Sequence, residues 1–356
     1  MRQMATIRRI DEINPIDGAD AIEVATVGGW KVVVKKGEFS AGELAVYCEI
    51  DSWIPNDVAP FLTKPGHPVK EYEGIPGARL RTVKLRGQLS QGLLIPLSIV
   101  WTTARDKFVA FDWQSDWTDD DVVGMDVSEG LGIIKYEPPM PACLGGMAKG
   151  NFPTAVPKTD QERVQNMKKE VSKMMEEDFR FELTEKLDGS SCTFYLDSEL
   201  VLHVCSRNLD LTETEGNSFW QIANKYGVAE KMKALGLVEF AIQGELVGPG
   251  IQGNKYNLSQ HDFFVFDMYD VAAGRYLTSM DRVKHTNELG LNHTPILFTS
   301  LTLTQFNDIE TILRFAEGKS VLHASTEREG IVFKCHDIPS VSFKAISNRF
   351  LLKGGD

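Results

Sequence analysis

The chain lacks any cysteine pattern that would hold a metal ion or a set of disulfides. Its five cysteines, Cys48, Cys143, Cys192, Cys205 and Cys335, are scattered and odd in number, and no two form a C-x-x-C pair. This spacing is typical of reduced thiols and argues against a disulfide-stapled domain. The seven histidines also lack metal spacing. We therefore expect a cytoplasmic protein, in the host cytoplasm if the source is viral.

Long apolar runs are absent as well. No stretch approaches the roughly 20 apolar residues that cross a bilayer, and residues 1–13 mix charges without the apolar core of a signal peptide. We therefore expect no membrane partner. Apolar residues make up 42% and charged residues 25% of the chain, which is ordinary for a globular protein. A length of 356 residues favours two domains over one.

Positive charge is in short supply. The sequence has 38 Lys and Arg against 50 Asp and Glu, for a formal net charge of −12. Taken alone, this argues weakly against a nucleic-acid partner, because phosphate binding needs clustered basic residues. Net charge is a sum over the whole surface, however, and a local basic groove can exist on an acidic protein.

Strand and turn signals fill the first third of the chain. Ile22–Val27 alternates, Gly28-Gly29 marks a tight turn, and Trp30–Lys35 completes a hairpin. Further strands are predicted at Leu44–Ile50, Arg79–Leu85 and Gly92–Leu97. Short strands, glycine turns and the lack of a long helical pattern predict a small closed β-barrel over residues 1–136.

A change in composition separates this barrel from the rest of the chain. Five prolines lie between residues 136 and 158, and we interpret residues 137–156 as an interdomain linker. Residues 157–356 alternate strands with short helices, which predicts an α+β domain on antiparallel sheets. Its first helix is predicted to open at the capping box Thr159-x-x-Glu162 and to run to about Met175.

The segment Glu185–Ser190, EKLDGS, carries the strongest chemical signal. Lys186 ends an apolar β-run, with Asp188 at +2 and Gly189 at +3. A lysine is nucleophilic only when neutral, so its site has to lower its pKa by desolvation or neighbouring cations. The glycine turn lets backbone approach a phosphate, and Asp188 could orient the amine or hold water on a metal. Alone, this pattern also fits a solvated hairpin.

Five further segments follow in order, each a strand with a charged or aromatic residue at its end. They are Ser206–Asn208, Phe240–Glu245, Phe263–Asp267, Glu329–Lys334 and Ser342–Lys344. With Glu185–Ser190, they resemble motifs I, Ia, III, IIIa, IV and V of the covalent nucleotidyltransferase superfamily. That superfamily contains DNA ligases, RNA ligases and mRNA capping enzymes. The resemblance spans about residues 157–350.

The order of the domains indicates the branch. DNA ligases and capping enzymes place an OB barrel after motif V, but only twelve residues follow Lys344 here. A barrel before the catalytic domain resembles RNA ligase family five. The resemblance implies an α+β fold class: an OB-fold nucleic-acid-binding domain at 1–136, then an antiparallel-sheet nucleotidyltransferase domain (ATP-grasp-like ligase) at 157–356.

The resemblance assigns catalysis to Lys186, Asp188 and Lys344. Lys186 would form a phosphoramide with AMP. Lys344 would contact phosphates and help to keep Lys186 neutral by like-charge repulsion. Motif V is often Lys-x-Lys, but neither neighbour of Lys344 at −2 or +2 is a lysine. Lys334 and Arg349 are the candidates to compensate.

The resemblance also implies a set of residues that bind ATP or AMP. They are Glu185, Lys186, Arg207, Glu245, Phe266, Lys344, Arg163 and Gln165. Arg207 would lie at the ribose or a phosphate, Glu245 at the ribose hydroxyls or metal waters, and Phe266 on the adenine. Core packing is the alternative for Phe266 and the safer reading for Phe263 and Phe264. A plain surface helix is the equal alternative for Arg163 and Gln165.

A divalent ion, Mg²⁺ or Mn²⁺, is the implied cofactor beside ATP. Glu329 matches the motif IV acid, and Asp188 shares its task, with Glu245 as a further metal candidate. Contacts through water are expected. Such an ion and the lysines would neutralise charge that develops as pyrophosphate leaves.

Basic residues on the barrel suggest where RNA would bind. They are Lys35, Lys36, Arg79, Arg81, Lys84 and Arg86. Basic residues interleaved with aromatics such as Trp30 and Phe39 suit an OB surface that follows a strand backbone. A solvated β face is the equal alternative.

The function implied by the resemblance is an ATP-dependent RNA ligase. It would seal 3′-OH/5′-phosphate ends of RNA, in nicked duplexes, through lysyl-AMP and RNA-adenylate, as a monomer in RNA repair. Two alternatives stay open. One is another superfamily enzyme, a DNA ligase or a GTP-using capping enzyme. The other is a non-catalytic RNA-binding protein with a decayed transferase domain.

Overall fold

The computed structural model describes residues 3–100, 118–137 and 146–353. They belong to two compact units, Met1–Pro139 and Met140–Gly355. Within the described residues, no helix is both long and apolar enough to cross a membrane.

Short strands make up most of the first unit. They are β1 (Ala5–Arg9), β2 (Glu12–Pro15), β3 (Ile22–Val27), β4 (Trp30–Lys35), β5 (Leu44–Cys48), β6 (Ser52–Pro55), β7 (Lys70–Tyr72), β8 (Ile75–Arg79), β9 (Val83–Leu85), β10 (Gln88–Ser90), β11 (Leu93–Pro96) and β12 (Ile134–Lys135). A 3-10 turn spans Pro60–Leu62, and helix α1 spans Asp119–Val122. The antiparallel sheets have the orders β1-β5-β11, β2-β3-β4, β12-β6-β8-β7 and β9-β10.

The hairpin predicted around Gly28-Gly29 is present. Strands β3 and β4 pair in register from Ile22↔Lys35 to Val27↔Trp30. Strand β5 is buried along its whole length, because its alternating side chains enter two clusters. Val46 packs with one of these clusters, and Tyr47 lies in the other, where its ring is 5.9 Å from that of Trp30.

The single strand predicted at Arg79–Leu85 is wrong, because the chain is divided there. Strand β8 ends at Arg79, and β9 forms a separate hairpin with β10. Leu80 is buried in the core. Arg86 and Gly87 both have positive φ, 49° and 86°, which is the backbone twist that a two-residue hairpin turn requires.

The second unit contains two mostly antiparallel sheets, each packed against helices. Its strands are β13 (Ala148–Asn151), β14 (Glu162–Arg163), β15 (Arg180–Lys186), β16 (Ser190–Leu196), β17 (Leu202–Cys205), β18 (Leu209–Leu211), β19 (Phe240–Val247), β20 (Asp262–Asp270), β21 (Arg275–Tyr276), β22 (Asn292–His293), β23 (Ile296–Thr302), β24 (Gly330–Cys335) and β25 (Ser342–Ile346). Its helices are α2 (Lys168–Glu176), α3 (Ser218–Tyr226), α4 (Val228–Ala234), α5 (Ser279–Leu289), α6 (Ile309–Ala316) and α7 (Asn348–Leu352). Short 3-10 segments lie at Val164–Met167, Gln252–Asn254 and Leu303–Gln305.

Each sheet has its own apolar core. The larger sheet, β13-β18-β17-β16-β19-β20-β21, packs Phe194 and Ile242 against Phe219 of α3. The smaller sheet has the order β14-β25-β24-β15-β23 and packs Phe181 and Leu183 in a second cluster, with α2 and α6. Because side chains alternate along a strand, the residues between these apolar positions face the other side of each sheet.

Part of the segment interpreted as a linker belongs to the larger sheet. Ala148–Asn151 forms β13 and pairs with β18, and Phe152 and Val156 are buried in the same unit. The boundary between the compact units falls between Pro139 and Met140.

The helix predicted to open at Thr159 is wrong in its start. Glu162–Arg163 is a short strand parallel to β25, and α2 begins only at Lys168. No capping box forms, because each partner is engaged elsewhere. The Thr159 hydroxyl is 2.9 Å from the Ser191 hydroxyl, and the Glu162 carboxylate accepts from the Arg163 N–H at 2.9 Å.

Candidate active site

Strand β15 carries Lys186 at its C-terminal end. Phe181 and Leu183 fill the apolar core behind the sheet, so Lys186 projects from the opposite face. It ends the strand opposite Gly330 of β24. Its ammonium contacts Glu329 Oε1 at 2.7 Å, and 27% of its side chain is exposed.

The turn after Lys186 is tied to strand β19. The Gly189 N–H donates to Glu245 Oε1 at 2.9 Å. Any side chain at position 189 would collide with the Leu246 carbonyl oxygen, so this close approach requires glycine. Glu245, predicted from the sequence as a nucleotide or metal ligand, thus also fixes the backbone beside the nucleophile.

Carboxylates control the charge of Lys186. Burial by itself would lower the pKa of Lys186, but attraction by Glu329, Glu245 and Asp188 outweighs it, and the pKa is raised. The direction of this shift in the nucleotide-free protein is opposite to the lowering that the sequence interpretation requires for attack. The turn after β15, strand β19 and the residue before β24 bring three acids near one amine, which the sequence does not reveal.

The acids themselves are hard to ionise. Burial raises the pKa of Glu245 to about 8, with Lys186 opposing the shift. Burial also raises the pKa of Glu329, which Lys186 and Lys344 oppose. Lys344 thus belongs to the same electrostatic cluster, on β25 opposite Val332.

The acids fit a divalent cation held partly through water. Carboxylate oxygens are the ligands that Mg²⁺ and Mn²⁺ prefer, and Glu329 Oε2 is a buried oxygen without a hydrogen-bond partner. Over residues 3–100, 118–137 and 146–353, no three His, Cys, Asp or Glu side chains lie close enough to hold one ion. An ion here would complete its shell with water and substrate oxygens.

Phe266 lies on β20, half-buried, where the two sheets are bridged. Lys334 Nζ donates to the Phe266 carbonyl oxygen at 2.5 Å and pairs with the Asp267 carboxylate at 2.5 Å. Phe263 is core, with its ring 4.7 Å from that of Phe194, and Phe264 is buried in another apolar cluster. The core reading of these two phenylalanines therefore fits the structure.

A cavity of about 200 Å³ lies beside this bridge. Gln243, Asp267, Lys334 and Ser342 are among the residues that line it, while Lys186 does not. Lys334 pairs in register with Glu182, four residues before Lys186. At the rise of a β-strand, the cavity wall formed by Lys334 therefore lies about 13 Å along the strand from Lys186.

Neither candidate for the second motif V lysine faces the acids. Arg349 pairs with Glu317 at 2.8 Å and is 65% exposed. Lys334 is engaged by Asp267, and burial lowers its pKa to about 8. A different cation, Lys255, forms an ion pair with Asp188. Sequence reasoning missed it, because it lies in an irregular loop without a motif.

The remaining nucleotide candidates have contacts of their own. Arg207 Nη2 donates to both oxygens of Asp160, at 2.7 and 2.8 Å. Glu185 Oε2 accepts from the Val321 N–H at 2.8 Å, on the opposite face of β15 from Lys186. Arg163 and Gln165 are buried, and Arg163 pairs in register with Lys344. The surface-helix alternative for these two residues is therefore wrong.

The basic residues of the barrel differ in exposure. Lys35, Lys36, Arg81, Lys84 and Arg86 are exposed. Arg79 is largely buried: it pairs with Asp51 at 2.6 Å and lies 4.6 Å above the Tyr136 ring. Arg79 therefore stabilises the barrel itself, and two of the exposed residues, Lys84 and Arg86, lie on the β9–β10 hairpin.

A buried charged network involves strand β15, four residues before Lys186. Arg282 of α5 pairs with Glu182 of β15, and its Nε donates to His293 Nε2 at 3.0 Å. His293 Nδ1 lies 2.6 Å from the Thr294 carbonyl oxygen. Burial lowers the pKa of His293 to about 4, and the Arg282 charge adds to this. His293 is therefore neutral, donating from Nδ1 and accepting at Nε2.

We expect the stability of the second unit to fall between pH 6.5 and pH 4. Below pH 6.5, His293 binds a proton in the unfolded state but not in the folded state. The contribution of neutral His293 to stability is therefore fully present above pH 6.5 and is lost as the pH falls. A lowering from 6.5 to about 4 corresponds to about 3 kcal/mol. Calorimetry of wild type and His293→Gln across this range should give a flatter profile for the variant. Equal slopes would contradict a neutral, buried His293.

Comparison with known proteins gives consistent matches. A family model described as RNA ligase matches residues 179–346, and one described as an OB-fold domain matches residues 4–97. No curated protein sequence matches the chain.

Solved structures of Naegleria gruberi RNA ligase are similar over nearly the whole chain. A variant with AMP and Mn is 43% identical, with 98% of each chain covered and a TM-score of 0.86. The enzyme with pyrophosphate is 44% identical, with 100% of each chain covered and a TM-score of 0.86. Another variant, with ATP and Mn, is 43% identical, with 100% of each chain covered and a TM-score of 0.85.

Proposed function

This chain belongs to the RNA ligase family, and from that premise we propose that it joins 3′-OH and 5′-phosphate ends of RNA with ATP as AMP donor. The predicted fold class, an N-terminal OB fold before an α+β domain of antiparallel sheets, is confirmed. ATP and a divalent metal, found in the similar structures, are confirmed as its expected cofactors. The observation that carries the proposal is the contact of Lys186 with Glu329, beside Glu245 and Asp188.

The first step is attack of Lys186 Nζ on the α-phosphorus of ATP. An N–P bond forms, the P–O bond to pyrophosphate breaks, and lysyl-AMP results. Before this, the ammonium has to lose a proton to solvent, against the stabilising contact with Glu329 Oε1 at 2.7 Å.

A divalent cation at these acids would neutralise the charge that raises the pKa of Lys186 and would shield the phosphate oxygens. Glu329, Asp188 and Glu245 are the residues that would hold it, through water in part. Lys344 adds a fixed positive charge beside Glu329. The residues of the chain therefore position the amine and neutralise the developing charge on the phosphates.

The second and third steps use the same cleft. AMP passes from Lys186 to the 5′-phosphate of RNA, and a 3′-OH then attacks that phosphate and releases AMP. Nicked duplexes with RNA on the 3′-OH side are the proposed substrate, and repair of broken RNA the proposed role. Phe266, half-buried on β20 and adjacent in sequence to Asp267, which lines the cavity, is the proposed adenine stack. Action as a monomer in the cytoplasm is also part of the proposal.

Intact mass of the protein after incubation with ATP and Mn²⁺ tests the proposal. We expect a gain of one AMP, and no gain of GMP when GTP replaces ATP. Transfer should then be followed on two nicked duplexes that differ only in RNA or DNA at the 3′-OH end, with faster sealing of the RNA end. A protein that takes no AMP would favour a decayed transferase domain instead.

The hairpin β9–β10 gives a prediction for RNA binding by the barrel. We expect the double variant Lys84→Ala/Arg86→Ala to bind single-stranded RNA more weakly, because it loses two exposed charges. If each contacts one phosphate, the slope of log K against log salt falls by about 1.4 in magnitude. Fluorescence anisotropy of a labelled oligonucleotide over a salt series measures both quantities.

The matched control for the hairpin is Lys64→Ala/Lys70→Ala, which removes the same charge from exposed positions elsewhere on the first unit. It should leave the salt slope unchanged. An equal loss of affinity in both double variants would mean that only net charge matters, and the hairpin assignment would fall.

A further inference from the structure

The loop between β19 and β20 has an unusual backbone. Gln252, Asn254 and Asn257 all have positive φ, at 44°, 49° and 51°. This region disfavours side-chain-bearing residues and persists only where surrounding contacts determine it. Contacts with neighbouring segments of the same unit hold residues 248–258 in this conformation.

The loop is fixed against the turn that follows the nucleophile. The Asp188 N–H donates to the Tyr256 hydroxyl oxygen at 2.6 Å. The Tyr256 ring is buried with Leu187 and Phe264. On the other side, the Thr326 hydroxyl donates to the Lys255 carbonyl oxygen at 2.8 Å. The loop therefore bridges the turn after Lys186 and the segment that precedes Glu329.

Lys255 extends this bridge to a side chain of the site. Its ammonium forms an ion pair with the Asp188 carboxylate, and it also lies 4.3 Å from the centroid of the Phe350 ring on α7. An ammonium over an aromatic face is attracted by the ring. With 32% of its side chain exposed, Lys255 is held between two partners on different elements, so its position is determined by the fold.

Each carboxylate around Lys186 thus has its own fixed partner. Glu329 contacts the Lys186 ammonium, Glu245 accepts from the Gly189 N–H, and Asp188 pairs with Lys255. Without Lys255, the Asp188 carboxylate would be released beside an ammonium two residues away. The ion pair with Lys255 therefore keeps the Asp188 carboxylate away from the Lys186 ammonium. It also holds the turn that follows the nucleophile.

We propose that Lys255 is a positioning residue for nucleotidyl transfer, acting through Asp188 to hold the turn after Lys186. This inference rests on the proposed function for its activity readout. Lys255 also supplies a cation at the acid cluster that neither Lys334 nor Arg349 provides.

The test compares Lys255→Ala, Lys255→Arg, Asp188→Asn and the double variant Lys255→Ala/Asp188→Asn. Single-turnover formation of lysyl-AMP is measured at saturating ATP and Mn²⁺. Misplacement of a reacting group by about 1 Å can cost about a hundredfold, so Lys255→Ala should be slower by about ten- to a hundredfold. Lys255→Arg should restore most of the rate. In the Asp188→Asn background, removal of Lys255 should have little further effect, because coupled residues are not additive.

The matched control is Lys353→Ala, a lysine just after α7 that pairs with Glu327 at 3.3 Å and is 67% exposed. It should keep the wild-type rate. Multiplicative effects of Lys255→Ala and Asp188→Asn, or failure of arginine to restore the rate, would overturn the proposal.

Hydrogen exchange supplies a readout that does not need activity. The peptide that covers residues 182–190 should exchange faster in Lys255→Ala, because the turn loses the ion pair that holds Asp188 against the loop carrying Tyr256, the acceptor of its N–H. Exchange should be unchanged in Lys353→Ala. If wild type formed no AMP adduct, the proposed function would fail, while this exchange difference would still support or overturn the positioning role of Lys255. Unchanged exchange in Lys255→Ala would contradict it.

Discussion

Replacing Lys186 with alanine is expected to abolish the gain of AMP, with a loss of at least about 10⁴-fold in adenylylation rate. A covalent nucleophile has no substitute in the step that it performs, and removal of one costs about 10⁶-fold in a well-studied protease. Lys186→Arg should be equally inactive, since a guanidinium keeps its proton. Labelling with α-³²P-ATP followed by gel electrophoresis measures the adduct.

The control for this loss is Lys319→Ala, which removes an exposed lysine that pairs with Glu327 at 2.7 Å. It should label like wild type. RNA supplied with AMP already on its 5′-phosphate should still be sealed by Lys186→Ala, because the last step does not use the amine as nucleophile. Label on the Lys186→Ala protein would show that another residue carries AMP.

Replacing Arg282 with methionine is expected to destabilise the second unit by about 3–5 kcal/mol. Arg282 is 1% exposed, and its loss leaves the buried Glu182 carboxylate without a counter-charge. His293 also loses the donor at its Nε2. Urea titration read by pulse proteolysis, with fragments of the second unit quantified by mass spectrometry, gives the change in unfolding free energy.

A lysine on the same helix provides the comparison. Lys284 pairs with Glu288 at 3.9 Å and is 66% exposed, so Lys284→Met should change stability by no more than about 0.5 kcal/mol. Adding Glu182→Leu to Arg282→Met should recover much of the loss, because no unpaired buried charge then remains. If Arg282→Met unfolded at the same urea concentration as Lys284→Met, the network of Arg282, Glu182 and His293 would not contribute to the stability of the second unit.

The local patterns in the sequence predicted much of the site. Lys186 at the end of a β-run and the acids at Glu245 and Glu329 were visible as motifs, and the structure brings their side chains to one amine. The Gly28-Gly29 hairpin was equally predictable, because a two-residue turn and alternating strands are short-range signals. The roles of Arg207 and Gln165 toward the nucleotide stay predictions.

Local signals misled where a partner lay far along the chain. The Thr159–Glu162 pattern is a capping box in isolation, yet Thr159 contacts Ser191, and Glu162 and Arg163 pair with β25. Arg79 was counted among residues for RNA, but Asp51 and Tyr136 enclose it. These partners lie far from Thr159, Glu162 and Arg79 along the chain, so a local sequence pattern cannot predict the contacts.

The sequence by itself determined which chemistry this protein can perform, because the nucleophile, the acids and the glycine turn are residue types at fixed spacing. Only the tertiary structure decided the charge of Lys186, the partner of Asp188 and the neutral state of His293. These depend on distances between charges and on burial. Elements far apart along the chain set those distances, from Glu329 beside Lys186 to Arg282 beside Glu182.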